Sequence, residues 1–462
     1  MESASFLTGA RRDLAMEPDG SAAEAAPPAP TAPRTLKEAG IGLGQLSDLA
    51  LKLLYLHGSL AGYEVAQELR LQFPLVDEAL GFLKDQRCVE VTSGDTMGPV
   101  SQQFTLTELG RIRARDLFEQ CRYVGPAPVP LADYAAQCRA QSVASVPCRA
   151  SALRPAFDGF VLEEGLLDQL GAAVCSGRSM FLFGPSGNGK TEIARRLGRF
   201  LHEQGGEIFV PYAVDLDGAI VTVFDPSLHR PTDEHDAPGR DGRSIGEVVQ
   251  ETPKDRRWRR VRRPVLVAAG ELTLDMLDLR HHPGSGYYTA PLHIKANGGV
   301  FLIDDFGRQI VDPRELLNRW ILPLEEKLDF LTLATGRKVG VPFEQVTVFS
   351  TNLEPQSLMD AAFLRRLRHK LYIGPPSREM YRAILEQTCG QRGIDCPPDA
   401  VAYLFENYYV DGREPRSSDP RDLLEAAAAI CRFRDESLRL DSTVLSEAAR
   451  RHFCPLQAAA SN

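Results

Sequence analysis

Long apolar runs are missing from this 462-residue chain: no stretch of eighteen apolar residues is present that could cross a bilayer as a helix. No membrane insertion is therefore expected. The N-terminus also lacks a basic segment followed by an apolar one, so no export signal is expected. Cysteine is sparse and dispersed. The nine thiols run from Cys88 to Cys454 with no C-x-x-C pair and no Cys/His cluster at metal-ligand spacing. That pattern excludes a disulfide scaffold and a zinc site, and reads as reduced thiols in a cytoplasmic protein. A basic excess is missing too. The formal charge of −9 argues against a general nucleic-acid coat, though it leaves room for a local basic patch. Internal repeats are absent. What remains is ordinary globular composition, 43% hydrophobic and 25% charged, in a chain long enough for two or three domains.

The organisation can be read along the chain. Residues 1–40 form an Ala/Pro-rich segment, including Ala25-Ala26-Pro27-Pro28-Ala29-Pro30, that buries too little to offset its ordering entropy; a disordered tail is expected. Residues 45–122 alternate three short amphipathic helices (46–57, 62–71, 74–86) with two strands (88–92, 103–107) around a tip at Ser93-Gly94-Asp95, and close with a helix over 108–121. That order is the order of a winged helix-turn-helix. The region holds eight Lys/Arg against eleven Asp/Glu, and its third helix carries Asp77, Glu78, Lys84 and Asp85. An acidic reading helix would be repelled by phosphates, which favours protein interaction over DNA reading. A linker over 123–151 opens with the Pro-containing stretch 123–130, expected to be extended and semi-rigid. An α/β core is expected over 152–375, a helical domain over 376–455 with helices near 379–389, 398–408, 419–434 and 442–453, and a short tail over 456–462.

The chemistry concentrates in the core. Gly184-Pro185-Ser186-Gly187-Asn188-Gly189-Lys190-Thr191 follows an apolar strand, Met180-Phe181-Leu182-Phe183, and precedes a helical pattern with Ile193, Leu197 and Leu201 on one face. In that context it is a phosphate loop. Glycines let backbone N–H groups curl around phosphate oxygens at a helix N-terminus. Lys190 should reach the β- and γ-phosphates of ATP, and the Thr191 hydroxyl should sit on Mg²⁺. Downstream, the buried run Val300-Phe301-Leu302-Ile303 ends in Asp304-Asp305. Asp304 is expected in the Mg²⁺ shell, and Asp305 is expected to orient or deprotonate the attacking water. A further strand, 346–350, leads into Thr351-Asn352, whose amide could hydrogen-bond the γ-phosphate or that water. Arg365, Arg366 and Arg368 follow Asp360, and Arg421 lies in the first turn of a helix beginning Asp419-Pro420.

This ordered set resembles the AAA+ ATPase superfamily over roughly residues 150–455. The resemblance implies an α/β P-loop core with a parallel sheet and a C-terminal helical lid. It also implies that Asn352 is sensor 1, that Arg365 and Arg368 are arginine fingers, and that Arg421 is sensor 2. Fingers act across a subunit boundary, so it implies a homo-oligomeric ring, most often a hexamer. The chain is also similar to a bacterial AAA+ group with an N-terminal winged-helix-like domain, described as ATPases with chaperone activity. Gly270-Glu271-Leu272-Thr273, Asp304-Asp305-Phe306-Gly307-Arg308 and Asn318-Arg319-Trp320 carry that similarity.

Two departures from the superfamily pattern stand out. Asp305 occupies the place where glutamate is commoner, and a shorter side chain could misplace the water. The segment between the loop and Asp304 is longer than a minimal core, and holds Lys254–Arg263, seven basic residues to one acidic. That run could line a nucleic-acid channel with Trp258 stacking on a base, bind an acidic partner, or be a solvated face. Tyr287-Tyr288, beside the glycine-rich 283–286 stretch, are candidates for a substrate-gripping loop or for an ordinary half-buried pair. The expected function is Mg-ATP hydrolysis that remodels a protein client or assembly. The alternatives are a DNA-associated regulator or loader with an ATP-driven switch, nucleic acid being the less favoured partner, and a nucleotide-gated scaffold with little hydrolysis.

Overall fold

The computed structural model describes residues 27–93, 98–232, 254–358, 361–410 and 412–453. Five short strands form the central parallel sheet: β1 (Met180–Phe183), β2 (Val265–Ala268), β3 (Val300–Ile303), β4 (Val346–Thr351) and β5 (His369–Tyr372). Their order is β2-β3-β4-β1-β5, every neighbour parallel. Each reads as an apolar run because helices cover both faces. Alternate residues divide accordingly. Met180, Leu182, Leu302 and Val348 pack with Ile193, Leu197 and Phe200 of the phosphate-loop helix Lys190–Gly205. Phe181, Phe301, Ile303 and Phe349 pack on the other side with Leu316 and Trp320 of the helix Pro313–Glu326. This is the expected α/β core with a parallel sheet, and the order brings the carboxyl ends of β1, β3 and β4 side by side. Four helices, Arg378–Gln391, Ala400–Asn407, Asp419–Phe433 and Ser442–His452, enclose a separate apolar core at the C-terminal end.

The long segment between the loop helix and β3 folds, apart from β2, around a second five-stranded sheet. It joins, in order, Arg280–His282, Tyr287–Thr289, Ala219–Thr222, Ala213–Leu216 and Val129–Pro130. The stretch 123–130 bends at 125–126 and ends in a strand of that sheet, and Leu131–Ala140 continues as a helix. In the N-terminal region the helices Leu43–His57, Gly62–Leu69, Phe73–Asp85 and Glu108–Gln120 and the strands Val89–Ser93 and Gln103–Leu106 match the expected order. A third short strand, Ser59–Ala61, pairs with Gln103–Thr105. Most of the expected tip falls on residues 94–97, outside the described residues, as do residues 1–26 and 454–462. No helix among the described residues is long and apolar enough to cross a membrane.

Three expectations are corrected. The tail does not extend to residue 40: Pro28 O accepts from Gln137 Nε2 at 3.0 Å, Pro30 O accepts from Asp255 N at 2.8 Å, and Ala39 is fully buried. The basic run is neither a channel lining nor a solvated face over most of its length. Trp258–Val261 is a strand paired with Ile208–Pro211, and Arg257, Arg259 and Arg263 are 2%, 4% and 5% exposed. Arg257 holds Asp255 with contacts of 2.8 to 3.1 Å and donates to the carbonyls of Ala39 (2.7 Å) and Pro128 (3.3 Å). Arg263 donates to the carbonyls of Gln141, Gly298 and Gly205. Trp258 is 6% exposed in the core of the insertion, so its ring is not offered to a base. The tyrosine pair is structural as well: Tyr288 is buried with its hydroxyl accepting from Ala334 N, and Tyr287 packs edge-on against Tyr123. Arg319 and Trp320 belong to another buried cluster, in which Asp329 accepts from Arg319 Nη1 at 2.5 Å and meets His293 Nε2 at 2.8 Å.

Candidate functional site

The phosphate loop lies between the end of β1 and the helix Lys190–Gly205. Two glycines show why the sequence is small here. Gly184 has φ +137°, and a Cβ on it would sit 2.2 Å from Ile373 O at the end of β5. Gly187 has φ +88°, and a Cβ there would sit 2.8 Å from Ser418 Oγ in the helical domain. The loop is therefore pressed against both the sheet and the lid. Lys190 Nζ donates back to Gly184 O (2.8 Å) and Pro185 O (2.9 Å), holding a buried ammonium ready beneath the loop. Burial lowers its pKa, and the charges of Asp304 and Asp305 partly oppose that shift. A phosphate would supply the counter-charge the ammonium lacks.

The Thr191 hydroxyl donates to Asp304 Oδ2 at 2.7 Å, so the two expected Mg²⁺ ligands meet across the cleft. Asp304 Oδ1 accepts from Asp305 N at 3.1 Å, and Asp305 turns outward with φ +49°, exposed on the cleft wall. The turn is fixed to its neighbour strand, for Phe306 N donates to Ser350 O (2.7 Å) and Thr351 Oγ1 donates to Phe306 O (2.6 Å). Gln309 completes it by donating to Asp304 O and accepting from Gly307 N, both at 2.8 Å. Asn352 follows at the end of β4, with a buried Oδ1 that has no hydrogen-bond partner. Asn352 is not among the residues that border the cleft.

The lid closes the cleft from above. Ser418 N donates to Gly187 O at 2.9 Å, and Ser417 N donates to Asn188 Oδ1 at 3.0 Å, while Asn188 Nδ2 is buried without a partner. A cleft of about 580 Å³ results, with Lys190, Thr191, Asp304, Asp305, Ser418 and Arg421 among its walls. An adjoining hollow of about 180 Å³ lies between Phe160 and Val161 on one side and Gln387, Thr388 and Gln391 on the other. Arg421 borders both spaces and pairs with Asp422 at 3.0 Å. The donor set fits Mg-ATP: Thr191 and Asp304 would hold Mg²⁺, and the loop would cradle the phosphates.

The two finger candidates stand apart. Arg365 lies in the last turn of the helix Ala361–Arg366 and Arg368 follows it; both are exposed and neither borders the cleft, while Arg366 between them pairs with Glu325 at 2.6 Å. Asp360, which precedes them in the sequence, lies outside the described residues. The sequence reading missed Phe160, Gln309, Gln391 and Ser417/Ser418. Only Ser417-Ser418, just ahead of Asp419-Pro420, carried a usable signal as a helix-start cluster. Asp419, Asp422 and His452 form a metal-like grouping, but Asp419 is already engaged by Tyr409 (2.6 Å), His452 (3.1 Å) and Arg416 N (2.9 Å).

Residues 377–451 match a family described as a domain of unknown function, DUF8689. No curated protein matches the chain. Among solved structures, the chain is similar to NtrX from Brucella abortus in complex with ADP, at 16% identity and a TM-score of 0.37 over 63% of this chain and 55% of that one. A second NtrX structure from the same organism gives 15% identity and a TM-score of 0.37, over 64% and 56% of the two chains. This chain thus spans just over half the length of NtrX. Domain III of the Thermotoga maritima replication initiation protein DnaA aligns at 14% identity and a TM-score of 0.36, over 65% of this chain and 97% of that domain.

Proposed function

We propose that this chain is an AAA+ type ATPase that binds Mg-ATP in the cleft between core and lid and hydrolyses it to remodel a protein client or assembly. The observation that carries the reading is the convergence on one cleft of Lys190, the Thr191–Asp304 pair, Asp305 and the lid residues Ser418 and Arg421. On ATP binding, Lys190 exchanges two carbonyl partners for phosphate oxygens, and Arg421 exchanges Asp422 for the phosphate chain. Bound Mg²⁺ supplies charge neutralisation at the β- and γ-phosphates. Asp305 orients the water and accepts its proton as the water oxygen bonds to the γ-phosphorus. The bond to the β-phosphate oxygen breaks, releasing ADP and inorganic phosphate.

Exposed Arg365 and Arg368 suit completion of a neighbour's site in a homo-oligomeric ring, and hydrolysis would then move the lid through its Gly187 and Asn188 ties. The DNA-associated alternative loses one of its two supports, since the basic run is largely buried, and keeps the element order of the N-terminal region. Titration with ADP tests the first step. Wild type should bind one ADP per chain, and Lys190→Ala should weaken binding at least about tenfold by removing a charge-assisted contact. Equal affinity in the two proteins would sink the assignment of this cleft.

A further inference from the structure

A second cavity lies on the far flank of the phosphate-loop helix, where that helix meets the edge strand β2. The two elements are in close contact: a Cβ on Gly198 would sit 2.1 Å from Val265 Cγ2. The space beside this contact is about 500 Å³, within the range of small-molecule sites. Its polar wall is cationic. Arg195, Arg199 and His202 come from successive turns of the helix, Arg230 from the loop after the second sheet, and Arg262 and Arg263 from the end of the basic run. Among the described residues, no aspartate or glutamate borders it.

The charges are also uncompensated. Among the described residues, Arg195, Arg199, Arg230 and Arg262 form no ion pair, and all four are exposed. Arg263 is 5% exposed; its Nη atoms meet only backbone carbonyls, and its buried Nε has no hydrogen-bond partner. Burial pulls the Arg263 guanidinium down to about 10, which leaves it cationic at neutral pH with no carboxylate to balance it. Burial, and then the charge of Arg262, hold His202 below its ordinary value against the opposing charges of Glu207 and Glu203. The buried Nδ1 of His202 has no partner.

We propose that this cavity binds a small oligophosphate anion at a site separate from the phosphate-loop cleft. Five guanidinium groups around a compact space match the oxygens of two or three linked phosphates, which guanidinium forks bind bidentately. The cavity is flanked by the helix on one side and β2 on the other, and its volume matches a compact ligand. Arg195 borders both this cavity and the nucleotide cleft, so the ligand would bear on the helix that carries Lys190 and Thr191.

The test is calorimetric titration of the full chain with inorganic tripolyphosphate, in two backgrounds: wild type saturated with ADP, and Lys190→Ala without nucleotide. One tripolyphosphate per chain is expected in both. The exposed pair Arg199→Ala/Arg262→Ala should weaken it by about tenfold or more, with an unchanged circular dichroism spectrum and melting temperature. Three results would overturn the proposal: no binding in either background, binding indifferent to the Arg199/Arg262 pair, or capture of a polyglutamate peptide where tripolyphosphate fails. The proposal does not rest on the ATPase reading. If ADP fails to bind wild type, that reading falls while the Lys190→Ala arm still decides this one.

Discussion

Arg257→Met removes the centre of a buried cluster that joins three separated parts of the chain. The guanidinium is 2% exposed, and its Nε and Nη2 hold the Asp255 carboxylate, itself 6% exposed, with contacts of 2.8 to 3.1 Å. Its Nη1 serves the carbonyls of Ala39 and Pro128, which tie the N-terminal segment and the connector to the insertion. Substitution leaves a buried carboxylate without its cation. Breaking one partner of such a pair costs about 3–5 kcal/mol. Removing both charges is far milder, so Asp255→Asn/Arg257→Met should recover at least about 1 kcal/mol of that loss. Urea unfolding followed by tryptophan fluorescence is the assay, since Trp258 is buried next to the cluster and reports its opening. Refutation would be a loss below about 1 kcal/mol for Arg257→Met, because an arginine free to serve a ligand makes a small contribution to stability.

Further outcomes follow from the same geometry. Gly184→Ala places a methyl 2.2 Å from Ile373 O at positive φ, so nucleotide binding and the thermal midpoint should both fall; a variant that binds ADP like wild type would contradict the close approach. Burial opposes the charge of Asp225, but bonds from Lys295 and Ser227 more than offset it and bring the carboxyl to about 2. With an unfolded value near about 3.9, the folded state binds this proton later, so the stabilisation of up to about 2 kcal/mol is complete above about pH 4 and lost as pH falls towards 2. The urea-midpoint gap between wild type and Asp225→Asn should therefore close over that window, and a pH-independent gap would count against the Lys295 pairing. Mixing Arg365→Ala/Arg368→Ala chains with Lys190→Ala chains should restore part of the hydrolysis that each lacks; no recovery at any ratio would argue against a site shared between subunits.

The site was legible where its chemistry is local. Gly184–Thr191 carries its own strand, turn and helix, and Asp304-Asp305 and Asn352 end apolar runs whose β-branched and aromatic residues announce buried strands. The lid helices were expected in nearly the places they occupy, and in the structure Ser377 and Asp441 cap two of them. The insertion was not legible, because its sheet joins Val129–Pro130 to Val214–Asp215 and Tyr288–Thr289 to Val221–Thr222 through pairings between distant short segments. The basic run misled for a related reason. Apart from Asp255, the groups that receive Arg257 and Arg263 are backbone carbonyls of Ala39, Pro128, Gln141, Gly205 and Gly298, and a carbonyl leaves no mark in a sequence. Gln309 and Phe160 reach the site through turns whose geometry depends on the folded sheet.

Phosphate release from ATP by purified wild type, Lys190→Ala and Asp305→Asn proteins, measured beside nucleotide occupancy, tests the central claim most directly. The account predicts turnover by wild type, neither tight binding nor turnover by Lys190→Ala, and ATP retained but hydrolysed at least about a hundredfold more slowly by Asp305→Asn. Turnover at the wild-type rate by Asp305→Asn would remove that carboxylate from the mechanism, and hydrolysis undiminished in Lys190→Ala would contradict the account as a whole.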